Sequence, residues 1–264
     1  MRISANLEML YTEMEWEARF SAARNDGFGL IEFWGWEGKD LSRTKSLLEQ
    51  NGLGISAMSG DGPWSMCDPA RKKEYIAYIR DSIRAAGILS CPNLVVHSNE
   101  LAEDTKWAAD RFEEYSDTVK LVTMFDNLKT MALLAEEAGI TFVLEPLNTV
   151  VDHIGNFLVD TRTAAELAEA TGSPRIKVLY DIYHMYLNEG RICETLIRYR
   201  DRIGYIHVAD APGRGEPGTG AINYRNVFRH LREIGYEGVA GIELIPTAGT
   251  PAAVKAVREA WGEF

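Results

Sequence analysis

The chain has 264 residues, enough to bury a sizeable core and close to the upper limit of one unit, so a single domain spanning residues 1–264 is expected. Its 39 acidic and 28 basic side chains leave a net charge of −11, which repels phosphate backbones and anionic membrane surfaces and argues against nucleic acid as a partner. Three scattered cysteines, Cys67, Cys91 and Cys193, exclude a disulfide framework and a thiolate-rich zinc site and fit a reducing cytoplasm.

The first segment, "MRISANLEMLYTEMEWEARF", carries acids early and has no apolar core, so it does not read as a signal peptide. No stretch approaches the roughly 20 apolar residues of a membrane span. In chain order, short apolar runs rich in Val, Ile and Phe predict strands at about 2–6, 30–34, 54–58, 93–97, 141–145, 176–181, 204–210 and 239–244. The runs are continuous rather than alternating, as in strands buried on both faces. Helical stretches lie between them, among others Trp16–Asp26, Lys72–Ala86, Phe112–Ala138, Thr163–Ala170, Ile192–Arg200 and Tyr224–Ile234. Several end near a glycine, the usual left-handed cap. Strict strand–helix alternation over eight repeats predicts a parallel sheet closed into a (β/α)₈ TIM barrel rather than an open doubly wound sheet. One match to G-x-G-x-x-G, Gly213–Gly218, contains Pro217 and reads as a long flexible loop, not as a nucleotide-binding turn.

In such a barrel the chemistry sits where strands end at their C-terminal edge. The polar residues closing the runs are Asn6, Glu32, His97, Glu145, Asp181, His207 with Asp210, and Glu243. Taken singly, each reads as a solvated rim residue, a salt-bridge partner or a helix cap. Glu145, Asp181, His207 and Glu243, however, close four consecutive strands and can converge on one point. Three carboxylates and one imidazole suit one divalent metal ion, Mn²⁺ or Mg²⁺, with Co²⁺ also compatible. His97, which closes the fourth strand on the same rim, is taken as a substrate contact, although it and His153 are weaker cases than the four, and His230 falls inside a helix.

"VLEPLN" (143–148), "VLYDIYHMY" (178–186), "IHVADAPGRGEPGTGAINY" (206–224) and "GIELIP" (241–246) resemble the hydroxypyruvate isomerase family, within the larger xylose-isomerase-like barrels. The resemblance runs through the whole chain. It implies one divalent metal held by Glu145, Asp181, His207 and Glu243, with the two glutamates also acting as acid/base pair. It further implies that His184 and Arg214 contact substrate oxygens and that the loop 211–222 closes over the site. Four positions depart from that pattern. His207 stands where those isomerases carry Gln and ketose 3-epimerases carry His, Leu244 and Ile245 replace an aromatic–basic pair, and Ala221 replaces an acid.

The implied reaction is isomerisation or epimerisation of a small hydroxy-carbonyl compound, such as hydroxypyruvate, a 2-oxo-tetronate or a ketose, through an enediolate. A metal-dependent lyase or dehydratase acting β to a carbonyl on an oxo-sugar or oxo-glycoside uses the same first proton abstraction. Phosphodiester hydrolysis, as in the endonuclease IV branch, fits poorly with five histidines and an acidic chain, and four ligand candidates argue against a non-catalytic sugar binder. The sequence leaves homo-oligomerisation open.

Overall fold

A computed structural model describes residues 1–102 and 106–262. Eight strands, β1 (Arg2–Asn6), β2 (Leu30–Phe33), β3 (Gly54–Ser59), β4 (Asn93–Val96), β5 (Thr141–Leu144), β6 (Ile176–Asp181), β7 (Ile203–Val208) and β8 (Val239–Ile242), pair in sequence order into a closed barrel. All ladders are parallel, and β8 returns to β1 with Val239 opposite Arg2. Around the barrel run α1 (Trp16–Asn25), α2 (Leu41–Asn51), α3 (Lys72–Leu89), α4 (Asp117–Ala138), α5 (Thr161–Ala170), α6 (Ile182–Asn188), α7 (Ile192–Tyr199), α8 (Tyr224–Glu233) and α9 (Thr250–Trp261). Among the described residues no helix is long and apolar enough to cross a membrane.

Local chemistry sets the boundaries. Asp40 and Ser116 accept backbone N–H groups at the starts of α2 and α4, and Gly52 and Gly139 close the same helices at φ 60° and 72°. The helix expected from Phe112 begins at Asp117 instead, because Phe112 has φ 50° and Ser116 supplies the cap. The second, fourth, fifth, seventh and eighth strands stop one or two residues earlier than the apolar runs suggest. At the fourth and fifth the residue left beyond the ladder is the polar one that faces the barrel mouth, His97 and Glu145.

The two-residue period of a strand then decides which side chains face inward. Val143, Leu179, Tyr205 and Val239 pack inside the barrel with Ala57 and Val95, while Phe142, Val178, Ile206 and Ala240 join the layer beneath the helices. Counting two residues on from the inward set reaches Glu145, Asp181, His207 and Gly241, and two more reaches Glu243. Gly241 has a steric reason: a Cβ there would lie 2.3 Å from Glu32 Oε2, so only glycine leaves room for that carboxylate within the barrel.

Candidate metal centre

Glu145, Asp181, His207 and Glu243 are all buried, and one potential donor atom from each lies within 4.8 Å of the other three. Adjacent parallel strands bring them there, with Asp181 directly opposite His207 and His207 opposite Gly241 in the ladders.

Each donor is held by its other atoms. Asp181 caps α6: its Oδ1 accepts from Tyr183 N at 2.7 Å and His184 N at 3.1 Å. Its Oδ2 has no hydrogen-bond partner among the described residues. Glu145 Oε2 lies 3.1 Å from His97 Nε2, leaving Oε1 without a hydrogen bond among the described residues. His207 Nδ1 is 3.5 Å from both Glu145 Oε1 and Glu243 Oε2, and its Nε2 is 3.2 Å from Glu32 Oε1. Glu243 is fixed by three donors, Trp34 Nε1 at 2.7 Å, Asn6 Nδ2 at 3.3 Å and Arg214 Nη2 at 2.6 Å.

Buried carboxylate oxygens without donors are costly, so their convergence on one point makes a place that could hold a cation. The titration behaviour agrees. Burial, and then the charge of Glu145, pushes Asp181 up to about 7. Burial works against the proton of His207, yet the surrounding glutamates, Glu243 first, hold its pKa well above the ordinary value. In Glu145 the order is reversed: burial would raise the carboxyl, but His207 and His97 keep it well below the usual range. Three carboxylates and one imidazole fit a divalent ion of the hard to intermediate class.

His97 sits between Asp61 and Glu145. Its Nδ1 is 3.2 Å from Asp61 Oδ2, and against the cost of burial the two acids push it up to about 10. Asp61 went unnoticed in the sequence because it lies two residues past the end of β3. The signal was an acid just beyond a strand end.

His184 behaves differently. Asn148 donates from its amide nitrogen to His184 Nδ1 at 2.7 Å, and its Oδ1 accepts from Val150, Val151 and Asp152, which fixes the amide orientation. Nδ1 is therefore the acceptor and the ring proton is on Nε2, 3.6 Å from Asp181 Oδ2. Burial and then Arg214 hold the ring neutral, well below its ordinary pKa. His184 is fully buried behind Asp181, whereas His97 and Arg214 line the open cavity.

Arg214 has φ 56°, a conformation rare outside glycine, and its guanidinium lies 5.4 Å over the ring of Tyr183. The 211–222 loop that carries it reads in the sequence as long and flexible. In the structure Asp210 pins it by accepting backbone N–H groups of Ala211, Gly218, Gly220 and Ile222, each at 2.9 Å. Asp210, one of the strand-end acids, thus organises the loop and does not join the donor cluster.

The model of the family "Xylose isomerase-like TIM barrel" matches residues 20–260. The chain belongs to that family. Hydroxypyruvate isomerase of Escherichia coli K12 is 32% identical over 97% of each chain, and 2-oxo-tetronate isomerase of Cupriavidus necator is 30% identical over 95% of each. Among solved structures, AP endonuclease family 2 from Brucella melitensis superposes with a TM-score of 0.88 at 24% identity over 98% of both chains, a likeness of fold. This xylose isomerase-like barrel is accordingly an enzyme of the isomerase type.

Proposed function

We propose that the chain is a divalent-metal-dependent isomerase or epimerase of a small hydroxy-carbonyl compound, with Glu145 and Glu243 as the acid/base pair. The observation that carries this reading is the convergence of four buried donors from β5 to β8, three of which present atoms without a hydrogen-bond partner among the described residues. A divalent ion there supplies the Lewis acidity that an enediolate requires.

The chain's own residues account for the rest. Glu145 is ionised, tethered through Oε2 by His97, and its Oε1 is open to take a proton from the carbon beside a carbonyl. Glu243 lies across the cluster and returns a proton at the neighbouring carbon or at the other face. Trp34, Asn6 and Arg214 fix its rotamer, which keeps the two carboxylates in one relative geometry. Arg214 also has an Nε–H without a partner among the described residues, which suits a substrate hydroxyl or carboxylate. His184 holds Asp181 from behind and, through its Nε2–H, acts on substrate only by way of that side of the cluster.

Glu145→Gln keeps the shape of the side chain and removes its basicity. The metal-loaded variant should lose exchange of the substrate α-proton with deuterated solvent by about 10²-fold or more, the scale of a general base. Exchange at the parental rate would remove Glu145 from that role.

A further inference from the structure

We propose that Asp61 is a positioning residue: through His97 it fixes which oxygen of Glu145 faces the donor cluster. This rests on the acid/base reading of Glu145 above and adds to it the group that aims the base.

The sequence delivers Asp61 in a tight setting. It follows β3 in the run Ser59-Gly60-Asp61-Gly62-Pro63, with a glycine pressed against a neighbour on either side. Gly60 N donates to Val95 O of β4 at 2.7 Å, and a Cβ on Gly60 would lie 2.8 Å from Leu94 Cβ. A Cβ on Gly62 would lie 2.3 Å from the Tyr78 ring of α3. Only glycine permits both approaches, so the segment is wedged between β4 and α3 and brings the Asp61 carboxylate over the end of β4.

There it holds His97 twice. Asp61 Oδ2 accepts the backbone N–H of His97 at 2.5 Å and lies 3.2 Å from Nδ1 of the same residue. A side chain whose own N–H and ring nitrogen share one acceptor loses both its χ1 rotation and its ring flip. Nε2 is thereby turned toward β5, where the pairing of Val96 with Leu144 sets Glu145 alongside, and it lies 3.1 Å from Glu145 Oε2. Both ring nitrogens then face carboxylates, so His97 serves Glu145 and not the substrate.

The consequence falls on the base. The contact with His97 is the one hydrogen bond that the Glu145 carboxylate makes among the described residues. Without it, either oxygen turns to the cluster and the proton-accepting one no longer keeps one place. A misplaced reacting group costs rate more than binding, because the transition state tolerates less displacement than the bound ground state.

The test takes the full-length chain saturated with Mn²⁺ and follows uptake of solvent deuterium by hydroxypyruvate and D-fructose. Asp61→Ala should lower kcat by about 10–100-fold, the effect usual for a partner of a site residue, and leave KM within about threefold. Introduced into Glu145→Gln, the same change should cost less than about threefold more, because no base remains to be aimed. Losses that multiply overturn the proposal, since a change acting only on the fold lowers both backgrounds alike. Asp61→Asn keeps an oxygen for the two N–H groups and should recover at least about a third of the parental kcat. An Asn variant as slow as the Ala one also overturns the assignment. A measurement that needs no turnover is the crystal structure of metal-free Asp61→Ala, a change on the cavity wall, where water can fill the space. His97 Nε2 should then lie beyond hydrogen-bond distance of Glu145 Oε2, and a ring and carboxylate found in their parental places overturn the proposal. Parental-rate exchange by Glu145→Gln, or exchange of neither compound by the parental chain, counts against the acid/base reading instead, and the crystal structure then decides alone whether Asp61 places the carboxylate.

Discussion

The two halves of the barrel end in polar residues of the same kinds but use them in opposite ways. At the ends of β1 to β4, Asn6, Glu32 and His97 are engaged by one another, by Asp61 or by groups inside the barrel. At the ends of β5 to β8, Glu145, Asp181 and His207 each keep at least one atom with no partner among the described residues. Burial is equal in the two sets. What distinguishes Glu145, Asp181 and His207 is satisfaction: each keeps an atom without a hydrogen bond, whereas Glu243, the fourth member of the cluster, is held by three donors and joins the others by position alone.

The largest expected effect tests the unsatisfied half. Replacing His207 by Ala removes the single nitrogen donor and should weaken Mn²⁺ binding by more than about 100-fold, beyond the roughly 10–100-fold usual for residues outside the ligand set. Metal content after dialysis reads this directly. Asn6→Ala, a change on the satisfied side, should stay within about tenfold, and equal losses in the two variants would erase the distinction.

Next comes pH. In the metal-free protein the His207 proton persists through neutrality, because its pKa stands well above the ordinary value, and Asp181 adds a second proton to the cluster as pH falls below about 7. A metal ion must displace whatever proton is present. As pH is lowered, affinity should therefore fall by about tenfold per unit above pH 7 and more steeply below it. The linked stability has a definite sign. A carboxyl whose folded pKa is raised binds more protons folded than unfolded, so Asp181 stabilises the metal-free fold as pH drops from 7 toward 4, and bound metal abolishes that gain. The increase in Tm on adding Mn²⁺ should shrink from pH 8 to pH 5.5. A constant increase would mean that Asp181 is ionised in the metal-free protein.

The barrel was legible because strand and helix patterns alternate eight times and a glycine so often closes the helix. The donor cluster was legible because each strand ends on a polar residue whose direction follows from the two-residue period, so Glu145, Asp181 and His207 fall in line with Val143, Leu179 and Tyr205. Residues whose roles depend on contacts between distant segments were not legible. Asp61 meets His97 36 positions later, Trp34 meets Glu243 209 positions later, and Tyr205 reaches Glu32 across the barrel. No local pattern marks such pairs. The organisation of the 211–222 loop escaped for a related reason: glycine and proline content signals a turn-rich segment, but the hydrogen bonds that shape it come from Asp210, one side chain collecting four backbone N–H groups.

The smallest expected effect on metal binding comes from the floor of the barrel. Ser4 Oγ and Ser56 Oγ are 2.7 Å apart, Ser56 Oγ is 2.7 Å from Tyr205 OH, and Tyr205 donates to Glu32 Oε2. Glu32 in turn lies 3.2 Å from His207 Nε2. Tyr205→Phe keeps the packing with Val143 and Leu179 and deletes the hydroxyl, leaving Glu32 Oε2 and Ser56 short of a partner in a fully buried place. The cost should appear in stability, about 1–3 kcal/mol by urea unfolding, since an unpaired buried acceptor loses its full solvation. Metal affinity should change less than about threefold, because Asn6 still donates to Glu32 and the four donors above are untouched. A loss of metal comparable to that of His207→Ala would show that the satisfied floor, and not the open donors alone, sets the geometry of the cluster.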